Sequence, residues 1–154
     1  MKIFIGTDPK DELAYNVLVK SIHATTKEKV EIIPVRDHLL RWEKKYWRSY
    51  FVEGNGQMID EPTGTPFSTM FSFTRFCVPM MNDYKDECVL FMDADMMLRA
   101  DIAELFDWGD KSKAVNVVKH DHNPKEETKM GGMLQTRYAR KNWSSLMLMN
   151  TTRS

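Results

Sequence analysis

The chain has 154 residues, 42% of them hydrophobic and 29% charged, which suits one globular domain with a real core and excludes wholesale disorder. Its 22 basic and 22 acidic residues cancel, which argues against a general binder of nucleic acid or of a membrane surface. No apolar run approaches the ~20 residues of a bilayer span, and no secretory leader pattern opens the chain, so a cytoplasmic protein is expected.

From the N-terminus, Ile3 to Ile5 reads as a short apolar strand running into Gly6-Thr7-Asp8-Pro9. Asp8 can cap a helix whose first position is Pro9. Leu13, Ala14, Val17, Leu18 and Ile22 then recur at helical spacing to about Ala24. A second reading of Asp8 is compatible with the first: with Thr7 it can hydrogen-bond a nucleotide base at the strand's end. Val30 to Val35 is the next strand, with Pro34 marking its end or a sheet edge. Strand, helix and strand in this order imply a parallel sheet with a right-handed crossover.

His38 to Phe51 carries Trp42, Tyr46, Trp47, Tyr50 and Phe51 at spacings that predict a packed helix. Gly54, Gly56, Pro62, Gly64 and Pro66 make Val52 to Pro66 a long loop, of the kind that can serve as a lid. Phe67 to Met81 returns to helical spacing with Ser68 as its cap, and Arg75 is the one charge within it. A buried guanidinium needs partners. Its partner is either a structural carboxylate, Asp93 among the candidates, or the phosphates of a ligand, which arginine grips in bidentate fashion. Cys77 and Cys88 form no metal or redox motif and read as reduced, buried thiols.

Val89 to Met92 is apolar and uncharged, the pattern of a strand buried on both faces. Asp93 and Asp95 follow at its carboxyl end, where open parallel sheets bind ligands. Two acids one residue apart repel each other unless a cation sits between them. Their oxygens suit Mg²⁺ or Mn²⁺. On its own, Asp-X-Asp also reads as a turn with a solvated Asp95. Beyond it, Asp101 to Phe106 is a short helix and Lys113 to Val118 a strand. His120-Asp121-His122 stands at that strand's carboxyl end, as surface histidines or as metal ligands. Asn123 to Gly132 reads as a loop, Leu134 to Ala139 as a strand, and Leu146 to Met149 as a last apolar run after Trp143-Ser144-Ser145. Arg137, Arg140 and Lys141 form a solvated basic face or the counter-charge of a diphosphate. There is no P-loop, dinucleotide fingerprint or Gly-x-Ser-x-Gly elbow.

In this order the elements resemble the GT-A glycosyltransferases, and family 8-like members above all. The likeness rests on Ile3-Phe4-Ile5-Gly6-Thr7-Asp8 as a first strand and on Phe71 to Pro79 as the helix before the metal strand. It rests equally on Val89 to Asp95 as the DxD strand and on Trp143 to Asn150 as the strand that meets the donor sugar. The resemblance implies an α/β fold, one domain over residues 1–154 with a Rossmann-like, mostly parallel twisted sheet flanked by helices. It implies a metal-dependent hexosyltransferase that uses a UDP-sugar donor and retains anomeric configuration. Thr7 and Asp8 would meet the base, Arg75 the diphosphate, and Trp143 and Ser144 the donor. Asp93 and Asp95, on either side of Ala94, would hold Mn²⁺ or Mg²⁺. The acceptor is an unidentified sugar, lipid or protein, no protein nucleophile is assigned, and a homodimer is one arrangement open to it. The family's usual His-x-x-Gly-x-x-Lys-Pro-Trp-like segment, which supplies a third metal ligand and a diphosphate lysine, is not among these residues, which suggests either a truncated or minimal form or a substitute in His120 or His122. Two other readings stand beside this one. The first is a nucleotide-sugar-binding domain with little transfer. The second is a haloacid-dehalogenase-type phosphatase, although Met96 and Met97 stand where that motif expects Thr or Gly.

Overall fold

Residues 1–85, 88–120 and 143–153 are described by the computed structural model. β1 (Lys2–Gly6) passes through a 3-10 turn at Pro9–Asp11 into α1 (Glu12–Thr25). β2 (Glu31–Val35) and α2 (Asp37–Trp42) follow, then three short strands, β3 (Tyr50–Val52), β4 (Met58–Asp60) and β5 (Thr65–Phe67). α3 (Phe71–Thr74) and α4 (Val78–Met81) flank a 3-10 turn at Arg75–Cys77, and β6 (Val89–Asp93) comes next. α5 (Ala103–Trp108), β7 (Val115–Val117) and β8 (Leu146–Met149) complete the order, with a 3-10 turn at Trp143–Ser145 leading into β8.

The main sheet has the order β2-β1-β6-β8-β7, with β1 parallel to β2 and β6, and β8 antiparallel to both its neighbours. The architecture is the mostly parallel α/β sheet flanked by helices that the sequence led us to expect. Pro34 lies in β2, an edge strand, where a missing N–H costs no ladder bond on the free side. Alternation along the strands divides the core in two. Ile3, Ile5, Leu90, Met92 and Leu148 pack with Leu18 and Ile22 of α1 and with Ile102. Phe4, Val89, Phe91, Met147 and Met149 pack with Leu40 of α2, Phe71 of α3 and Val78 of α4. Each such side chain contributes about 1.5–3 kcal/mol on burial, so these two layers hold the fold.

Between residues 43 and 81 the structure departs from expectation. The aromatic stretch is helical only over α2, and Tyr50 and Phe51 open β3 instead. The loop expected over Val52 to Pro66 is largely a second sheet, β3-β4-β5, antiparallel throughout. Gly56 (φ 84°) and Gly64 (φ 64°) occupy the left-handed region at its turns, where a Cβ is disfavoured. The helix expected from Phe67 to Met81 begins only at Phe71, without a Ser68 cap, and breaks into α3, a 3-10 turn and α4. Pro79 lacks the N–H that would continue the α-helical ladder back to Arg75, which accounts for the break. The second sheet is fastened to α3 by Phe67, edge-to-face with Phe73 at 5.3 Å, and by the Arg48 guanidinium 4.6 Å above the Phe73 ring. Arg48 also grips Asp60 of β4 with two hydrogen bonds of 2.6 and 2.7 Å.

His122, the loop expected over Asn123 to Gly132, the strand expected over Leu134 to Ala139 and the basic cluster Arg137, Arg140 and Lys141 lie outside the described residues. Among the described residues no helix is long and apolar enough to cross a membrane.

Candidate functional site

The register of β1 against β6 pairs Gly6 with Asp93, so the two carboxyl ends finish level. The Ala94 N–H donates to the Gly6 carbonyl at 3.1 Å, and the Thr7 N–H donates to the Val35 carbonyl at 3.3 Å. The segment that begins at Thr7 thereby leaves β1 next to Asp93 and Ala94. Gly6 is required by close approach: a Cβ there would sit 2.5 Å from Phe71 Cδ2 and 2.8 Å from Phe91 Cζ. Its absence lets α3 lie directly on the end of the strand.

Asp93 has the parity of Phe91 and so faces α3, where it meets Arg75, Nη1 lying 3.3 Å from Asp93 Oδ1. The contact is an ion pair without hydrogen-bond alignment, since Oδ1 is buried and has no hydrogen-bond partner among the described residues. Burial pushes the Asp93 carboxyl up to about 6, against the pull of the Arg75 guanidinium and the Ser145 hydroxyl, while Asp95 and Asp11 push it further up. Of the two partners weighed for Arg75, the structural carboxylate is in place. Arg75 Nε donates to the Phe71 carbonyl at 3.3 Å, and Nη1 donates to the Ser144 carbonyl at 2.8 Å and to Ser144 Oγ at 3.1 Å. Its guanidinium lies 5.3 Å from the centres of both the Phe71 and Phe91 rings. Arg75 thus ties α3, β6 and the turn before β8 into one cluster, and Ser144 joins the site through it.

Asp95 differs from Asp93 in being exposed. A half-buried carboxylate whose buried Oδ1 lacks a hydrogen bond, beside an exposed one, is a donor set that fits a hard divalent cation. Among the described residues no group of three or more His, Cys, Asp or Glu side chains gathers to hold a metal. Asp93 and Asp95 are the described residues that could hold such an ion. His120 is exposed beyond β7 and takes part through its carbonyl, which accepts the Trp143 indole N–H at 3.2 Å. Trp143 is held toward the end of β7, with Lys119 Nζ 5.7 Å from the centre of its ring.

Asp8 does not use its side chain to cap the turn at Pro9–Asp11; its carbonyl takes the Asp11 N–H at 2.9 Å instead. The carboxylate turns to the other chain segment and accepts the Met70 N–H at 3.0 and 3.3 Å. Burial raises its pKa, and Lys10 opposes the shift. Thr7 Oγ1 donates to the Asp8 carbonyl at 3.3 Å. Sequence reasoning missed Ser145 and Asp11 as neighbours of Asp93, and it missed Gly6, Phe71 and Phe91 as the floor under Arg75. The sequence signal for that floor was an aromatic four residues before Arg75 and another two before Asp93.

No protein-family model matches the chain. Protein CDI of Arabidopsis thaliana is 43% identical to it over 149 residues, 97% of this chain. The chain spans about half of that relative, 52% of its length. Among solved structures, the bifunctional glycosyltransferase WbbM matches over 99% of this chain and 32% of its own, with a TM-score of 0.60 and 14% identity. The galactosyltransferase LgtC, solved with donor and acceptor sugar analogs, matches over 99% of this chain and 59% of its own, with a TM-score of 0.56 and 13% identity. At these identities the fold is what is shared, and it is the fold of GT-A glycosyltransferases.

Proposed function

We propose that this chain is the nucleotide-sugar domain of a family 8-like, metal-dependent glycosyltransferase whose donor is a UDP-sugar. One observation carries the reading. At the carboxyl end of the central strand, half-buried Asp93 leaves its buried Oδ1 without a hydrogen bond among the described residues, faces Arg75 and stands one residue from exposed Asp95. The fold shared with WbbM and LgtC, the latter solved with a donor analog, supports it.

Departure of a nucleoside diphosphate leaves negative charge on its phosphates, and the site must oppose that charge. A divalent cation held by Asp93 and Asp95 supplies Lewis acidity toward those oxygens. Arg75 adds a fixed positive charge over an apolar floor of Phe71 and Phe91, where low polarity strengthens its field. Ser144 is held to Arg75, and with Trp143 it borders the sugar end of the donor. The segment Thr7–Asp8 borders the base end. No protein nucleophile is assigned, in keeping with a transfer that retains configuration. The acceptor is a sugar, lipid or protein hydroxyl.

The test is UDP release from a panel of UDP-sugars with Mn²⁺ and with EDTA. Mn²⁺-dependent release from one donor is expected, and it would name the sugar. Asp95→Ala should abolish the metal dependence while changing stability by no more than about 0.5 kcal/mol, because its side chain is exposed. Mn²⁺-dependent UDP binding without release would instead favour a binding domain that does not transfer. UDP affinity unaffected by Asp95→Ala would sink the metal assignment.

A further inference from the structure

We propose that Asp8 is a positioning residue for Arg75, acting through the Met70 amide that opens α3. The two segments are 62 residues apart in sequence and meet in register. Lys10 Nζ donates to the Ser68 carbonyl at 3.3 Å, the Asp8 carboxylate takes the Met70 N–H at 3.0 and 3.3 Å, and Gly6 admits the Phe71 ring. The Met70 N–H is one of the donors that a helix start leaves unsatisfied, and α3 has no side-chain cap of its own. Asp8 therefore supplies, from the segment that follows β1, the acceptor that a local cap would otherwise provide.

The consequence falls one turn further on. Arg75 is located by Phe71 twice, through the carbonyl that accepts its Nε–H at 3.3 Å and through the ring beneath its guanidinium. Whatever places Met70 and Phe71 also places Arg75 against Asp93 and Ser144. Asp8 is 3% exposed, so its carboxylate serves the protein rather than open solvent. Burial raises its pKa, which makes the loss of any donor to it costly. The bearing of this on sugar transfer rests on the function proposed above, but the positioning itself does not.

The experiment uses the protein free of metal and nucleotide, so its outcome is independent of whether transfer occurs. Nitrogen-15 NMR would follow the Arg75 Nε–H signal, together with amide exchange from Met70 to Cys77, in the native chain, Asp8→Asn and Asp8→Ala. Asparagine keeps an oxygen for the Met70 N–H and should retain both the Arg75 signal and the protection. Alanine should lose the Arg75 signal, with the Met70 amide exchanging on the order of tenfold faster or more. An unchanged Arg75 signal in Asp8→Ala, or its loss in Asp8→Asn, would overturn the proposal. Should Asp8→Ala not fold, Asp8→Asn decides alone: a retained signal supports the acceptor role and a lost one removes it. UDP, CDP and GDP affinities provide the counter-reading. If Asp8→Ala alters the preference among them while the Arg75 signal is intact, Asp8 is a base ligand and not a positioning residue.

Discussion

Every residue from Ile3 to Gly6 of β1 and from Val89 to Met92 of β6 is buried, whereas β3 leaves Phe51 51% and Val52 58% exposed. The five-stranded sheet is clad by helices on both faces and held by two apolar layers. The three-stranded sheet has strands of three residues, and among the contacts that hold it are the Arg48–Asp60 ion pair and the aromatic contacts to Phe73. The difference bears on function. Asp93 and Gly6 sit at the carboxyl ends of the well-packed sheet, whereas the second sheet is tied to α3 through Phe67 and Arg48 against Phe73.

The largest loss is expected in the aromatic layer of the main sheet. Phe91 is fully buried and forms part of the floor under Arg75, so Phe91→Ala should cost about 3–5 kcal/mol in a denaturant melt. A loss below 1 kcal/mol would mean that this layer does not hold the fold. Gly6→Ala comes next. Its Cβ would press on two buried rings, Phe71 and Phe91, and overpacking of that kind costs about 1–3 kcal/mol. The same variant should shift the Arg75 Nε–H signal, since Phe71 cannot stay where it is.

The main sheet was legible because a strand buried on both faces must be an unbroken apolar run, and Ile3-Phe4-Ile5 and Val89 to Met92 are such runs. The second sheet was not. Strands of three residues are too short to show alternation, and Tyr46, Trp47, Tyr50 and Phe51 satisfy helical spacing equally well. The signal that was present was Asn55-Gly56, a favoured hairpin pair, with Gly56 at φ 84° and the Asn55 side chain accepting the Gln57 N–H at 2.8 Å. Pro66 in β5 agreed with it, since β5 is an edge strand. In the candidate site, Arg75 and Asp93 could be paired from sequence because a lone charge in an apolar stretch must find its opposite. The Asp8–Met70 bond could not, because no spacing rule relates positions 62 residues apart.

A smaller effect is expected from the ion pair of the second sheet. Arg48 and Thr63 hold the Asp60 carboxyl below its ordinary range. A depressed pKa in the folded state contributes stability that is present above the unfolded value of about 3.9 and lost as pH falls through the folded value. Melts of the native chain should therefore weaken across that acid window more steeply than those of Asp60→Asn, which has no such proton to take up. Parallel acid limbs for the two proteins would show that the pair adds nothing to stability.

The smallest effect is expected where the same chemical change, glycine to alanine, is made in the other sheet. Gly54 precedes the tight turn between β3 and β4, and a Cβ built there meets nothing within 4 Å. Its backbone is not in the left-handed region that Gly56 occupies. Gly54→Ala should then be neutral or stabilising by up to about 1 kcal/mol, through the lower entropy of the unfolded chain alone. Gly6→Ala and Gly54→Ala thus have opposite expected signs. If both destabilise to a similar degree in parallel melts, the second sheet is packed as tightly as the first, and its place as the looser appendage of α3 is wrong.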